Sequence, residues 1–203
     1  MIIGPADIQL SSPPDNFVSH LNKNIMTGIN SHQIKTVPDN YTSVTPWIVS
    51  PSSADLIKFL AAAFEAKEVP NSRITNEEGI IIHVVVQIGN APVMLFDSRA
   101  GWAPTPALLN LYVENIEQTH QKAIEMGATS VTDITELWFG EKVCRILDPF
   151  GNLWWLNERV EEIDFTKPEE IAQRASSPDA VANISYIQKS LDEALKAQKN
   201  FFK

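Results

Sequence analysis

The 203-residue chain is 44% hydrophobic, enough to bury one good core with residues left over for extensions at either end. Its 16 Lys and Arg against 25 Asp and Glu give a formal charge of −9, spread along the chain with no basic run, and such a surface repels phosphate backbones and anionic lipid. Nucleic acid is therefore not an expected partner. No stretch is apolar enough over the length of a bilayer span and the first residues lack a basic, apolar leader, so neither a membrane nor an ordinary secretion signal is expected.

Cys144 is the single cysteine, so neither an intrachain disulfide nor a thiolate metal cage can form from one chain. It sits in an apolar stretch and reads as a small buried hydrophobe rather than a nucleophile. That usage fits a reducing compartment, and a cytoplasmic protein is expected.

Residues 1–42 mix Pro, Ser, Asn and isolated apolar residues without a sustained period, and read as an irregular N-terminal arm within which Met26 is an alternative start to Met1. The texture then changes. TPWIVS is a short strand, and SADLIKFLAAAFEA is a helix with Leu56, Phe59, Leu60, Ala63 and Phe64 on one face and Ser53 as the expected N-cap. After a polar stretch come IIIHVVVQI, strongly β-branched, the turn Gly89-Asn90 and the partner strand PVMLFDS.

The order then repeats. ALLNLYVE is a strand, and NIEQTHQKAIEMGA is a helix with Ile116, Thr119, Ala123 and Ile124 on one face and Gly127 placed to end it. TSVTDITELW is a strand, and EKVCRILDPFGNLWWLNE is a hairpin closed by a type I turn over Asp148-Pro149-Phe150-Gly151. The chain thus reads as strand, helix and three strands, twice over. Each half has one sheet face covered by its helix and one left free, and two such half-sheets can curl around a shared cavity. The expected fold class is α+β, with paired βαβββ modules forming a curved mixed sheet over residues 43–160. Residues 161–203 are a helical extension: PEEIAQRA is a short helix, and a long one follows, capped by Ser177 with Pro178 in its first turn. Its apolar stripe through Val181, Ile184, Ile187, Leu191 and Leu195 needs cover, either from its own domain or from a second subunit.

The segments TPWIVS…LIKFLAAAFEAKEV, IIHVVVQIGNAPVMLFD, LNLYVENIEQTHQKAIEMGAT and FGEKVCRILDPFGNLWWL, in that order, resemble the glyoxalase/bleomycin-resistance, or vicinal oxygen chelate, superfamily, and within it the phosphonate-associated glyoxalase-like branch. The resemblance implies a homodimer with a binding cavity inside the curved sheets, but no particular reaction, because the fold serves lyases, epimerases, dioxygenases and sequestering proteins. It also implies a divalent metal held by His, Glu or Gln from four strands. Those positions fall here at Thr45, at Met94 or Leu95, at Asn110 and at Trp155, and none supplies a strong ligand. No metal and no other cofactor is therefore expected.

Alternation places Asn110 and Tyr112 on the cavity face of their strand, Leu153, Trp155 and Asn157 on that of the last strand, and His83, Val85 and Gln87 on one face of theirs. A pocket of Trp155, Tyr112 and Trp47, with Asn110, His83, Gln87 and Arg145 as polar points, suits a flat or amphipathic small molecule. Each residue has a plainer reading: His83 as a hydrogen-bonded strand histidine, Asn110 and Gln87 as solvated positions, Arg145 paired with a carboxylate such as Glu141. Trp154 and Trp155 cannot both face the cavity. Two functions stay open, a metal-free small-molecule binder acting by sequestration, sensing or carriage, and an enzyme, either a metal-dependent lyase or dioxygenase or an acid–base catalyst using His83.

Overall fold

A computed structural model describes residues 34–103 and 105–201, with side chains described up to residue 197. The expected arm over 1–42 and the alternative start at Met26 fall wholly or mostly outside those residues. The described residues from 37 onward cluster as one unit.

The first half begins with β1 (Trp47–Ser50) and α1 (Ser53–Phe64). Ser52, not Ser53, is the N-cap: its side chain accepts from the Asp55 amide, while Ser53 already has its amide on Asp97 Oδ1 at 2.6 Å. The helix buries Leu56, Phe59, Leu60, Ala63 and Phe64 as their spacing requires. Next come β2 (Lys67–Glu68), β3 (Ile74–Thr75), β4 (Ile81–Ile88) and β5 (Ala91–Asp97). The strand after α1 is thus broken in two, at a Pro70-Asn71 turn where Pro70 has no amide to donate and Asn71 takes a φ of 60°. The sheet order is β1-β5-β4-β2, with β3 also on β4 and β1 parallel to β5.

The second half repeats the plan with β6 (Leu108–Tyr112), α2 (Ile116–Glu125), β7 (Thr129–Leu137), β8 (Glu141–Leu147) and β9 (Leu153–Arg159), in the sheet order β6-β9-β8-β7. The halves share more than order. Asp97 at the end of β5 accepts the Ser53 amide at the start of α1, and Glu158 near the end of β9 accepts the Ile116 amide at the start of α2, at 2.7 Å. A carboxylate against a helix N-terminus is favoured by the exposed amides and the helix dipole, so each half locks its helix to its last strand by the same device. Asn115 caps α2 as Ser52 caps α1. On α2, Ile116 and Ala123 are buried but Ile124 is exposed, because eight residues from Ile116 a 3.6-residue period has turned it about 80° off the face.

One core joins the halves through their helix-bearing faces: Leu56, Phe59 and Leu60 of α1, Val84, Val86 and Leu95 of the first sheet, and Cys144, Ile146, Trp154 and Leu156 of the second. Helix α1 packs on α2, and Phe64 meets Trp154 edge-on at 4.8 Å between centroids. Trp154 therefore belongs to the core. Its indole donates to Asp148 Oδ2 at 2.9 Å, and the same carboxylate accepts the Phe150 and Asn152 amides, which fixes the turn between β8 and β9.

Beyond the sheets lie α3 (Pro168–Ala175) and α4 (Pro178–Phe201), the latter capped by Ser177, whose Oγ accepts the Ala180 amide. Helix α4 covers its own domain: Ile184 and Ile187 pack with Leu137, Val143 and Trp155, and Asn183 donates to Glu136 O. Val181 and Leu195 are exposed. Val181 lies about 120° round the helix from Ile187, so the expected stripe is broader than the surface that covers it.

Candidate functional site

Helices α1 and α2 take one face of each half-sheet, and the opposite faces carry the candidate residues. On the first, Trp47 and Val49 project from β1, His83, Val85 and Gln87 from β4, and Met94 and Phe96 from β5, as alternation requires around the core-facing Ile48, Val84 and Leu95. The Trp47 ring lies 5.4 Å from both the His83 and Phe96 rings, and Phe96 meets Trp102 at 6.0 Å. Arg99 lies over the Trp102 ring at 5.7 Å. Trp47 and Trp102 are 47% and 50% exposed, so this aromatic group is an open apolar surface rather than core. A pocket of about 250 Å³ opens beside it between Val49, Pro51, Ser98, Trp102 and Phe150. Among the described residues, no hydrogen bond orients the His83 imidazole.

Gln87 stands at the other end of β4, where its amide donates to Gly89 O. It lines a separate groove of about 630 Å³ with Tyr41, Val69, Val85 and Pro92. The first sheet thus unites Trp47 and His83 and leaves Gln87 apart.

The second sheet presents Asn110 and Tyr112 from β6, Arg145 from β8 and Trp155 from β9. Asn110 pairs directly with Trp155, and Trp155 with Arg145. Asn110 is exposed and accepts from Asn157 Nδ2 at 2.7 Å, and Tyr112 is exposed and donates to Glu141 Oε1 at 3.2 Å. Arg145 and Trp155 lie deeper, under α4. Arg145 is 2% exposed and forms no ion pair among the described residues; its Nη1 donates to Ile187 O at 2.6 Å and to Thr132 Oγ1 at 3.3 Å. Glu141, its expected partner, is taken by Tyr112 instead, because it lies four residues along β8 from Arg145. Burial pulls the Arg145 guanidinium below its ordinary pKa.

The expected pocket drew residues from both halves. In this chain the sheets meet through their helices, so the Trp47–His83 group and the Asn110–Trp155–Arg145 group stand on separate faces. Phe96 and Trp102 join the first group without having been singled out, and Met94, named above only as a metal position, lies on the same face. Phe96 was legible from alternation with Met94. Trp102 lies in a turn, where no period points to it.

Of the positions at which a metal is held in similar proteins, Thr45 lies before β1 with its hydroxyl on Thr42 O. Met94 faces Trp47 across β1 and β5, and Asn110 faces Trp155 across β6 and β9. A thioether and an indole do not fit a hard divalent cation, a lone amide carbonyl or hydroxyl holds one only weakly, and among the described residues no cluster of three or more His, Cys, Asp or Glu is placed to hold a metal.

The model of the glyoxalase/bleomycin resistance protein/dioxygenase superfamily matches residues 44–156, more than half of the chain. The chain belongs to that superfamily. It is similar to an uncharacterised protein of Mycobacterium bovis, 29% identical over 146 residues covering 66% of this chain and 93% of that one. Among solved structures, it is similar to TioX from Micromonospora sp. ML1, with 14% identity, 61% of this chain and 100% of that one covered, and a TM-score of 0.46. It is also similar to a glyoxalase family protein from Bacillus cereus, with 15% identity, 64% and 99% covered, and a TM-score of 0.48. No described helix is long and apolar enough to cross a membrane.

Proposed function

We propose that this superfamily member is a metal-independent small-molecule-binding protein, acting in the cytoplasm by sequestration, sensing or carriage. The observation that carries the reading is the exposed aromatic group of Trp47, His83, Phe96 and Trp102 on the free face of the first sheet, beside a pocket of about 250 Å³. Aromatic rings at such spacings offer apolar area and stacking, and His83 and Arg99 offer polar points at its edge, so a flat, partly apolar molecule suits it. With Thr45, Met94 or Leu95, Asn110 and Trp155 at the positions where the resemblance implies ligating side chains, a Lewis-acidic ion finds no strong donor among them, and no catalytic step is assigned.

A two-fold homodimer is part of the proposal, since an open aromatic face is a surface to be covered and a second subunit closes it over a ligand. Light scattering at micromolar concentration should give the mass of two chains, and the mass of one chain contradicts the pairing. The binding reading is tested by metal analysis of protein purified without chelators, alongside calorimetric titration with 1-naphthol. Less than a tenth of a metal ion per chain with saturable binding supports it. Stoichiometric zinc, nickel, manganese or iron, or no naphthol binding, overturns it.

A further inference from the structure

The second sheet carries a site of different chemistry. Arg145 is a guanidinium with 2% exposure that has, among the described residues, neither a carboxylate partner nor a hydrogen bond from its Nε. Its cross-strand neighbour Trp155 lies under it, with the guanidinium carbon 3.8 Å from the ring centroid, and the buried indole Nε1 makes no hydrogen bond with a described residue either. Buried donors are ordinarily paired, and a buried charge is ordinarily both paired and hydrogen-bonded. Here two unsatisfied donors, one cationic, share one spot.

What they have instead is a weak substitute. The Ile187 carbonyl, a neutral acceptor on α4, takes Nη1 at 2.6 Å, although Ser190 Oγ also reaches it at 3.2 Å. A carboxylate offers a negative charge and two oxygens, which match the guanidinium fork and form stronger, charge-assisted bonds. The spot lies near the edge of what covers it. Trp155 pairs with Asn110 on β6, and Leu108, Asn110 and Tyr112 along that strand are exposed, so the cover ends between β9 and β6.

We propose that Arg145 and Trp155 form a binding site for a small planar carboxylate, which enters past Asn110, takes Arg145 and the Trp155 indole N–H as its donors, and displaces the Ile187 carbonyl, loosening α4. The flat apolar body follows from the Trp155 ring beside the donors. The proposal is independent of the aromatic face on the first sheet and stands whether or not that face binds anything. It also makes α4 the element that reports occupancy, since the ligand competes with one of its carbonyls.

The test uses the full chain, with benzoate as the probe and benzamide as its neutral counterpart. Benzoate should shift the Trp155 indole N–H resonance in a saturable way and raise hydrogen exchange of the amides from Ile184 to Leu191. Benzamide should do neither. Arg145→Met should abolish both effects, and Arg145→Lys, which keeps charge without the fork, should weaken them roughly tenfold. If Arg145→Met does not give folded protein, Trp155→Phe replaces it; loss of the indole N–H should weaken the exchange effect by about threefold to tenfold. The proposal is overturned if benzoate shifts nothing, if benzamide acts equally, if the exchange effect is unchanged in Arg145→Met or, where that variant does not fold, in Trp155→Phe, or if α4 keeps its protection at saturation.

Discussion

The Arg145 guanidinium lies 3.8 Å above the Trp155 ring, and among the described residues neither Arg145 Nε nor Trp155 Nε1 has a hydrogen-bond partner. A cation over a desolvated indole face gains about 2 kcal/mol, and the desolvation of a full charge, several kcal/mol, outweighs it.

The fold therefore holds Arg145 at a cost. Arg145→Met fills similar space without a charge and leaves the Ile187 carbonyl with Ser190, so stability in urea denaturation should hold or rise, by up to about 4 kcal/mol. A loss of more than about 3 kcal/mol, as expected when a buried pair is broken, shows instead that Arg145 is well compensated.

Trp154 is the opposite case, packed on Phe64 and bonded to Asp148. Trp154→Ala should cost about 3–5 kcal/mol. Trp154→Phe, which keeps a ring but abandons the Asp148 carboxylate, should cost about 1–3 kcal/mol. Thermal or urea unfolding separates the two, and a Trp154→Phe variant as stable as the wild type indicates that the indole N–H contributes nothing.

The opposite fates of these neighbouring tryptophans were half legible in the sequence. Alternation requires that one of them face the helices, and the β6–β9 register places Trp155 opposite Asn110 as that pattern demands. The helices, the duplicated order and both hairpins were legible because each rests on local period or turn chemistry. What covers Trp155 was not. The stripe on α4 states that cover is needed, and only tertiary packing selects the free face of the second sheet as its partner. The separation of Trp47 and His83 from Asn110 and Arg145 is likewise set by how α1 packs on α2, a long-range relationship that strand alternation does not encode.

Gly140 joins β7 to β8 with a φ of +82°, and a Cβ there meets Glu161 O at 2.5 Å and Ile163 Cγ1 at 3.0 Å. The obstacle is backbone, which also accepts no easy shift because the Val160 and Glu161 amides both donate to Gly140 O. Gly140→Ala should destabilise by about 1–3 kcal/mol in chemical denaturation. An unchanged midpoint contradicts this packing of residues 160–163.

Burial pushes the Cys144 thiol up to about 12 from an ordinary 9.0. At pH 8 only roughly one native thiol in ten thousand is ionised, so labelling by iodoacetamide should follow transient unfolding and speed up sharply in urea. The folded state binds the proton more tightly than the unfolded state. The stability that Cys144 contributes is therefore fully present below about pH 9 and is lost as pH rises towards 12, a slope that Cys144→Ala should remove. Fast native labelling at pH 8 contradicts the burial.

The central claim is that the aromatic face of the first sheet binds a flat, partly apolar molecule without metal, and it is tested most directly by calorimetric titration of EDTA-treated protein with 1-naphthol. Wild-type protein should bind saturably at one molecule per chain. Trp47→Ala should weaken binding roughly tenfold or more, through lost stacking and contact area, while Trp155→Ala, beneath α4, should change it less than about threefold. Binding that appears only when a divalent metal is restored, or that is governed by Trp155 and indifferent to Trp47, contradicts the account.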